Sequence, residues 1–297
     1  MRLLLPLALL AGCGDVSNAW ILEDVEFLDA LPSEDRQNVA LTDDAAKDTA
    51  DAPSLLTVSR QIAENVNGTL FQVLWAVDEV RQLRPTARTE EGRIWGPFPF
   101  WEDVDLELTI ERTSLGRFDW NIDAIGDTRV TYVQGVHYAG DTVAAGDGQF
   151  AWSYDEVGPM VGSAAAGSVA VDYDNRDGID FLVTMDGVTD GTTDAVTANY
   201  AYRLGDTGDF QYATAYDLDG DGVTEDASIR TRWVPGGGGR ADFVATGGSL
   251  GELVEQWSQC WDASLGLTYE SDTYGWVEAT GDETECAFTT FAAVDRI

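Results

Sequence analysis

From Asp103 onward, apolar and polar residues alternate with a period of two, and this pattern constrains the fold more than any other feature of the chain. Successive side chains of a strand point to opposite faces, so the alternation demands strands with one buried and one solvated face. "VDLELTIE" sets Val104, Leu106, Leu108 and Ile110 against Asp105, Glu107, Thr109 and Glu111. "RFDWNIDA" repeats the scheme with Phe118, Trp120 and Ile122, and "QFAWSYD" with Phe150, Trp152 and Tyr154. "SVAVDYD", "IDFLVTMD", "DAVTANYAYRL", "DFQYATAYD", "SIRTRW" and "RADFVAT" continue it, separated by "NRDG", "GDTGD" and "GGGG", which are turn chemistry. The predicted fold class is therefore mainly antiparallel β (α+β), a curved up-and-down meander or barrel of about ten or more strands over residues 94–297. A membrane barrel would show the same alternation with its apolar face outward. The helix and the leader described next point instead to a soluble sheet whose apolar face is covered.

Ahead of the strands, Leu55, Val58, Ile62, Val66, Leu70, Val73, Val77 and Val80 recur at three- and four-residue spacing. That spacing predicts an amphipathic helix over 54–84, capped by Ser54, stopped at Arg84-Pro85 and packed on the sheet's apolar face. Gly68 allows a break near "NVNG". Residues 54–297 then form a single domain. Residues 13–53 read as an acidic tether, since 14–53 carry eleven Asp and Glu against Arg36 and Lys47; "AWILEDVEFLDAL" is a short helical piece within it.

The whole chain has 17 Lys+Arg against 53 Asp+Glu, a formal charge of −36. Such a surface repels phosphate backbones, which excludes nucleic acid as a partner, and attracts divalent cations. The N-terminus, "MRLLLPLALLAGCG", has a positive Arg2 and an apolar run too short to span a bilayer permanently. Its end, Leu10-Ala11-Gly12-Cys13, resembles the lipobox of bacterial lipoproteins. The resemblance implies a signal peptide over 1–12, removal before Cys13, and a lipid on Cys13 that anchors the protein to the cell envelope, at the outer membrane. The layout is similar in architecture to periplasmic lipoprotein carriers, where a curved sheet wraps a helix around an apolar cavity. "FLDALPSEDR", "RIWGPF" and "QCWD…ETECAF" resemble uncharacterised bacterial envelope lipoproteins, a likeness that brings no activity with it. Export permits disulfides, and with Cys13 acylated, Cys260 and Cys286 remain as an expected pair.

Two groups of residues carry binding chemistry. In "DLDGDGVTED", Asp217, Asp219 and Asp221 stand at alternate positions before Gly222, with the Val223 carbonyl and Glu225 following. Calcium takes six to eight oxygens in such loops, but Ser228 replaces the usual bidentate carboxylate. The stretch reads either as a calcium turn or as an acidic hairpin turn. The aromatic face of the sheet, with Trp95, Trp120, Trp152, Tyr200, Tyr202, Tyr212 and Trp233, reads either as core or as the lining of a ligand cavity. Catalytic motifs are sparse: His137 is the only histidine, no G-x-S-x-G elbow occurs, and "GGGG" lacks the trailing Lys of a phosphate loop.

The reading that follows is a non-catalytic, lipid-anchored envelope protein without a cofactor other than possible Ca²⁺, its partner an apolar or amphiphilic small molecule or an envelope protein. The alternatives are a calcium-dependent surface interaction module and a hydrolase built on paired carboxylates.

Overall fold

In a computed structural model, which describes residues 18–41 and 52–297, fifteen strands form one sheet in chain order. They are β1 (Ala87–Arg88), β2 (Gly92–Trp101), β3 (Val104–Ser114), β4 (Arg117–Ile125), β5 (Arg129–Tyr138), β6 (Asp147–Ser153), β7 (Ala166–Asp174) and β8 (Ile179–Thr189). The series continues with β9 (Val196–Leu204), β10 (Gly208–Tyr216), β11 (Glu225–Trp233), β12 (Gly239–Thr246), β13 (Val254–Trp261), β14 (Leu267–Asp272) and β15 (Thr280–Gly281). Every neighbouring pair is antiparallel. The up-and-down meander is as expected, but the barrel is corrected. Closure requires the first and last strands to pair, and here the series ends at β1 and β15. Both are two residues long, so β1 covers only Arg93 and Ile94 of β2, and β15 only Tyr269 and Glu270 of β14.

The alternation places side chains as predicted. Val104, Leu106, Leu108 and Ile110 of β3 are buried, as are Phe118, Trp120 and Ile122 of β4. Tyr154 differs from expectation: it opens a short helix, α3 (Tyr154–Val157), instead of extending β6. The Ser153 hydroxyl accepts from the Asp155 amide at 3.2 Å, which caps that turn and diverts the chain from the sheet.

Among the described residues two helices precede the sheet, α1 (Asn18–Asp29) and α2 (Ser54–Arg81). α2 runs through Gly68 without a break. Pro53, not Ser54, holds the N-cap position, and the Ser54 hydroxyl instead meets Gln259 of β13. Leu56, Val66, Leu70, Val73 and Val77 belong to the same apolar cluster as Trp120, Val171, Ile229 and Trp233. Val58, expected on the buried stripe, is exposed, while Ser59 is buried with its hydroxyl 2.6 Å from that of Thr231 in β11.

The tether is corrected over residues 18–41. Phe27, Ala30, Leu31, Val39 and Leu41 are buried in the core. Asp24 pairs with Arg88 at 2.9 Å and Arg93 at 2.7 Å, and Glu23 also meets Arg93 at 2.7 Å. Burial opposes the charge on Asp24, but the two arginines outweigh it and hold the carboxyl below its usual range. The remainder of 13–53 that was read as tether, 13–17 and 42–51, lies outside the described residues.

Large aromatic rings on the buried face lie over glycines on the adjacent strand. Trp120 faces Gly135, Trp233 faces Gly208, and Trp261 faces Gly239, each pair in direct register. A Cβ on Gly208 would stand 2.0 Å from the Trp233 indole. Gly208→Ala should therefore cost about 1–3 kcal/mol by overpacking. Gly205→Ala, where a Cβ meets nothing within 4 Å, should stay within about 0.5 kcal/mol. Urea unfolding of both variants measures the difference, and equal stabilities would contradict the ring-over-glycine contact.

At the other end, residues 286–297 run over the polar face of the sheet. The Ala292 amide donates to Asp242 of β12 at 3.1 Å, Arg230 of β11 reaches Asp295 at 2.7 Å, and Arg296 pairs with Asp180 of β8. The predicted Cys260–Cys286 disulfide is present, with Cα atoms 5.7 Å apart, and fastens the start of this segment to β13.

Candidate functional site

A cleft of about 940 Å³ has α2 along one wall, where Ile62, Thr69 and Gln72 line it. The opposite wall comes from Trp101 at the end of β2, Tyr132 of β5, Tyr154 and Val157 of α3, Met185 of β8, Tyr200 of β9 and Tyr212 of β10. Its volume falls within the ~300–1,000 Å³ of small-molecule pockets. Local geometry explains why these residues converge. The Ser153 cap turns Tyr154 out of the β6 ladder, and the β8–β9 register shifts between Met185 and Val188, both of which line the cleft.

The rings come in pairs. Tyr200 and Tyr212 lie 5.0 Å apart between centroids, and Trp101 meets Tyr132 edge-on at 6.0 Å. The Tyr154 hydroxyl donates to Gln72 Oε1 at 2.9 Å, which ties α3 to α2 across the cleft. Burial and the nearby Tyr154 push the Tyr132 phenol above its ordinary range, and burial with Tyr212 does the same to Tyr200. Both stay protonated through neutral pH. Asp190, on the loop after β8, accepts from the amides and hydroxyls of Thr192 and Thr193 at 2.8–3.0 Å. These bonds hold its carboxyl well below the usual range, so it is an anion and not a proton donor near neutrality.

Of the seven aromatic residues predicted to line a cavity, Tyr200 and Tyr212 do so. The other five follow the alternative reading as core, which corrects their place in a cavity lining: Trp95, Trp120, Trp152, Tyr202 and Trp233 are buried in the packed core. The indole nitrogens of Trp95 and Trp120 lack hydrogen-bond partners among the described residues, a cost of about 1–3 kcal/mol each that their ring packing must exceed. Sequence reasoning missed Tyr132 and Gln72. Tyr132 was findable, because "RVTYVQGVHY" alternates like its neighbours. "RIWGPFPFW" divides between the two roles: Trp95 is core, whereas Trp101 lines the cleft.

The acidic loop joins β10 to β11. Asp217, Asp219 and Glu225 bring carboxylate oxygens within 4.8 Å of one another, the one such three-residue group among the described residues. The Asp217 carboxylate accepts from the amides of Gly220, Asp221 and Gly222 at 2.7–3.1 Å. Buried Glu225 accepts from Leu218 and from both the amide and hydroxyl of Ser249, all at 2.9 Å, so it latches this loop to the one after β12. The Leu218 amide, then that of Ser249, holds the Glu225 carboxyl below its usual range. Asp221 stands outside the group, because its carboxylate turns to the Val223 amide at 2.8 Å. Cys13, the expected lipid attachment, lies outside the described residues. Compared with protein-family models, with curated proteins and with solved structures, the chain matches none.

Proposed function

We propose that this protein is a lipid-anchored, non-catalytic component of the bacterial cell envelope that holds an apolar or amphiphilic small molecule beside α2. The observation that carries the reading is the aromatic-lined cleft of about 940 Å³, with α2 on one wall and strands on the other. In this reading the sheet curves around α2, and the cleft is the part of its buried face that side chains leave unfilled. Leu10-Ala11-Gly12-Cys13 supports the anchor, which would keep the domain beside a membrane that is itself a source of amphiphiles.

An uncharged apolar dye, N-phenylnaphthylamine, should bind the purified domain saturably with a rise in fluorescence. Thr69→Trp, which fills the cleft from the α2 wall, should abolish that uptake while leaving the circular dichroism unchanged. Absence of saturable uptake by the wild-type protein would overturn the reading.

A second reading, calcium binding by the β10–β11 loop, is favoured by the convergence of Asp217, Asp219 and Glu225. Backbone amides offset part of the repulsion among these three like charges, and a cation would offset more. The ligands proposed here are those three carboxylates with the Val223 carbonyl; Asp221 would join them only if its side chain rotates away from the Val223 amide. At tenfold excess over Kd, calcium should stabilise the fold by about 1.4 kcal/mol. Because any divalent ion screens a chain of charge −36, the informative comparison is with Asp219→Ala. Calcium should raise the Tm of wild type more than that of the variant; equal shifts reduce the loop to an acidic turn.

A further inference from the structure

We infer that the cleft selects a non-anionic acyl amphiphile, with Tyr132 and Tyr200 donating hydrogen bonds to its carbonyl oxygen; the inference rests on the cleft reading above. Tyr132 and Tyr200 come from different strands, both line the cleft, and each is only 5% exposed. The hydroxyls of other buried tyrosines find acceptors, Tyr154 at Gln72 and Tyr202 at the Ala40 carbonyl. Those of Tyr132 and Tyr200 have no hydrogen-bond partner among the described residues, Tyr132 not being bonded to its neighbour Tyr154. Neither hydroxyl is among the fully enclosed unpartnered atoms, so both open onto the cleft that their residues line, where the acceptor of a ligand would take the place of water.

Charge narrows the ligand further. Among the described residues no Lys, Arg or His lines the cleft, whereas Glu64, Asp190 and Asp194 do. A carboxylate or phosphate head would approach like charge with no guanidinium or ammonium to receive it, in a chain already at −36. An ester carbonyl brings no charge, and it accepts from a phenol. Ile62, Val157 and Met185 supply the apolar wall for the chain attached to it.

Displacement of bound N-phenylnaphthylamine tests the inference. Monoolein, an uncharged ester, should displace the dye from the wild-type protein at concentrations where oleate, the matching carboxylate, does so at least about tenfold less effectively. For the double variant Tyr132→Phe/Tyr200→Phe, the monoolein affinity, corrected for the variant's own dye affinity, should fall about tenfold relative to wild type, the loss expected of two neutral hydrogen bonds. Equal competition by oleate, or unchanged monoolein affinity in the double variant, would overturn the ligand class while the cleft reading stands. Failure of the wild-type protein to take up the dye would remove both.

Discussion

Asp242→Ala should destabilise the protein by about 3–5 kcal/mol, the range for removing one partner of a buried ion pair. The Asp242 side chain is fully buried and all four of its acceptor positions are used. Oδ1 accepts from Arg240 Nε at 2.6 Å and Ser258 Oγ at 2.8 Å; Oδ2 accepts from Arg232 at 2.9 Å and the Ala292 amide at 3.1 Å. Arg240 is itself 1% exposed, so the variant strands a guanidinium with only Glu283 left as a charged partner. Net attraction in the wild-type cluster is a separate matter, since desolvation of three charges offsets much of it. Replacing Arg232, Arg240 and Asp242 together by apolar residues should therefore recover most of the loss. Guanidinium chloride unfolding distinguishes the cases; a loss under about 1 kcal/mol for Asp242→Ala would mean that water reaches the cluster.

That cluster illustrates which parts of the molecule are readable from sequence. The strands are, because burial of one face forces period two on Val104–Ile110 or Phe118–Ile122 irrespective of partners. β2 was harder, since Pro97 and Pro99 interrupt its ladder and its register with β3 shifts between Trp95 and Phe98. The tether was misread because charge was counted locally. Asp24 looks solvated beside Glu23 and Glu26, yet its partners Arg88 and Arg93 lie more than sixty residues on. The tryptophans were left between core and cavity lining for a similar reason. Whether Trp120 or Trp233 faces a void depends on the residue across the ladder, and only the register reveals Gly135 and Gly208 there. In the acidic loop, spacing identified Asp217, Asp219 and Glu225 but could not tell that Asp221 bonds its own backbone two residues on. The cleft draws on α2, α3 and five strands, and no local pattern encodes such an assembly.

Cys260→Ala/Cys286→Ala should lower stability by about 3 kcal/mol, the value expected for opening a loop of this size, by a mechanism that is model-dependent. Thiol labelling of the unreduced, unfolded wild type should first find neither cysteine free. The local consequence is more specific than the global one. Cys260 is a direct cross-strand neighbour of Arg240, and Cys286 begins the segment whose backbone serves the buried cluster. Downstream of the bond, the Phe288 carbonyl accepts from Arg240 at 3.3 Å, the Thr290 carbonyl from Arg232 at 2.7 Å, and the Ala293 carbonyl from Arg230 at 2.9 Å. Without the bond, this strap is held by its hydrogen bonds and ion pairs alone. Amide exchange should then accelerate at Ala292 and Asp295 before it does in β3 or β4. Because the strap and Asp242 stabilise the same arginines, the disulfide and Asp242→Ala losses should combine to less than their sum, by about 0.5–3 kcal/mol. Strict additivity would show that the strap and the cluster are energetically independent, and that the disulfide acts through the unfolded chain alone.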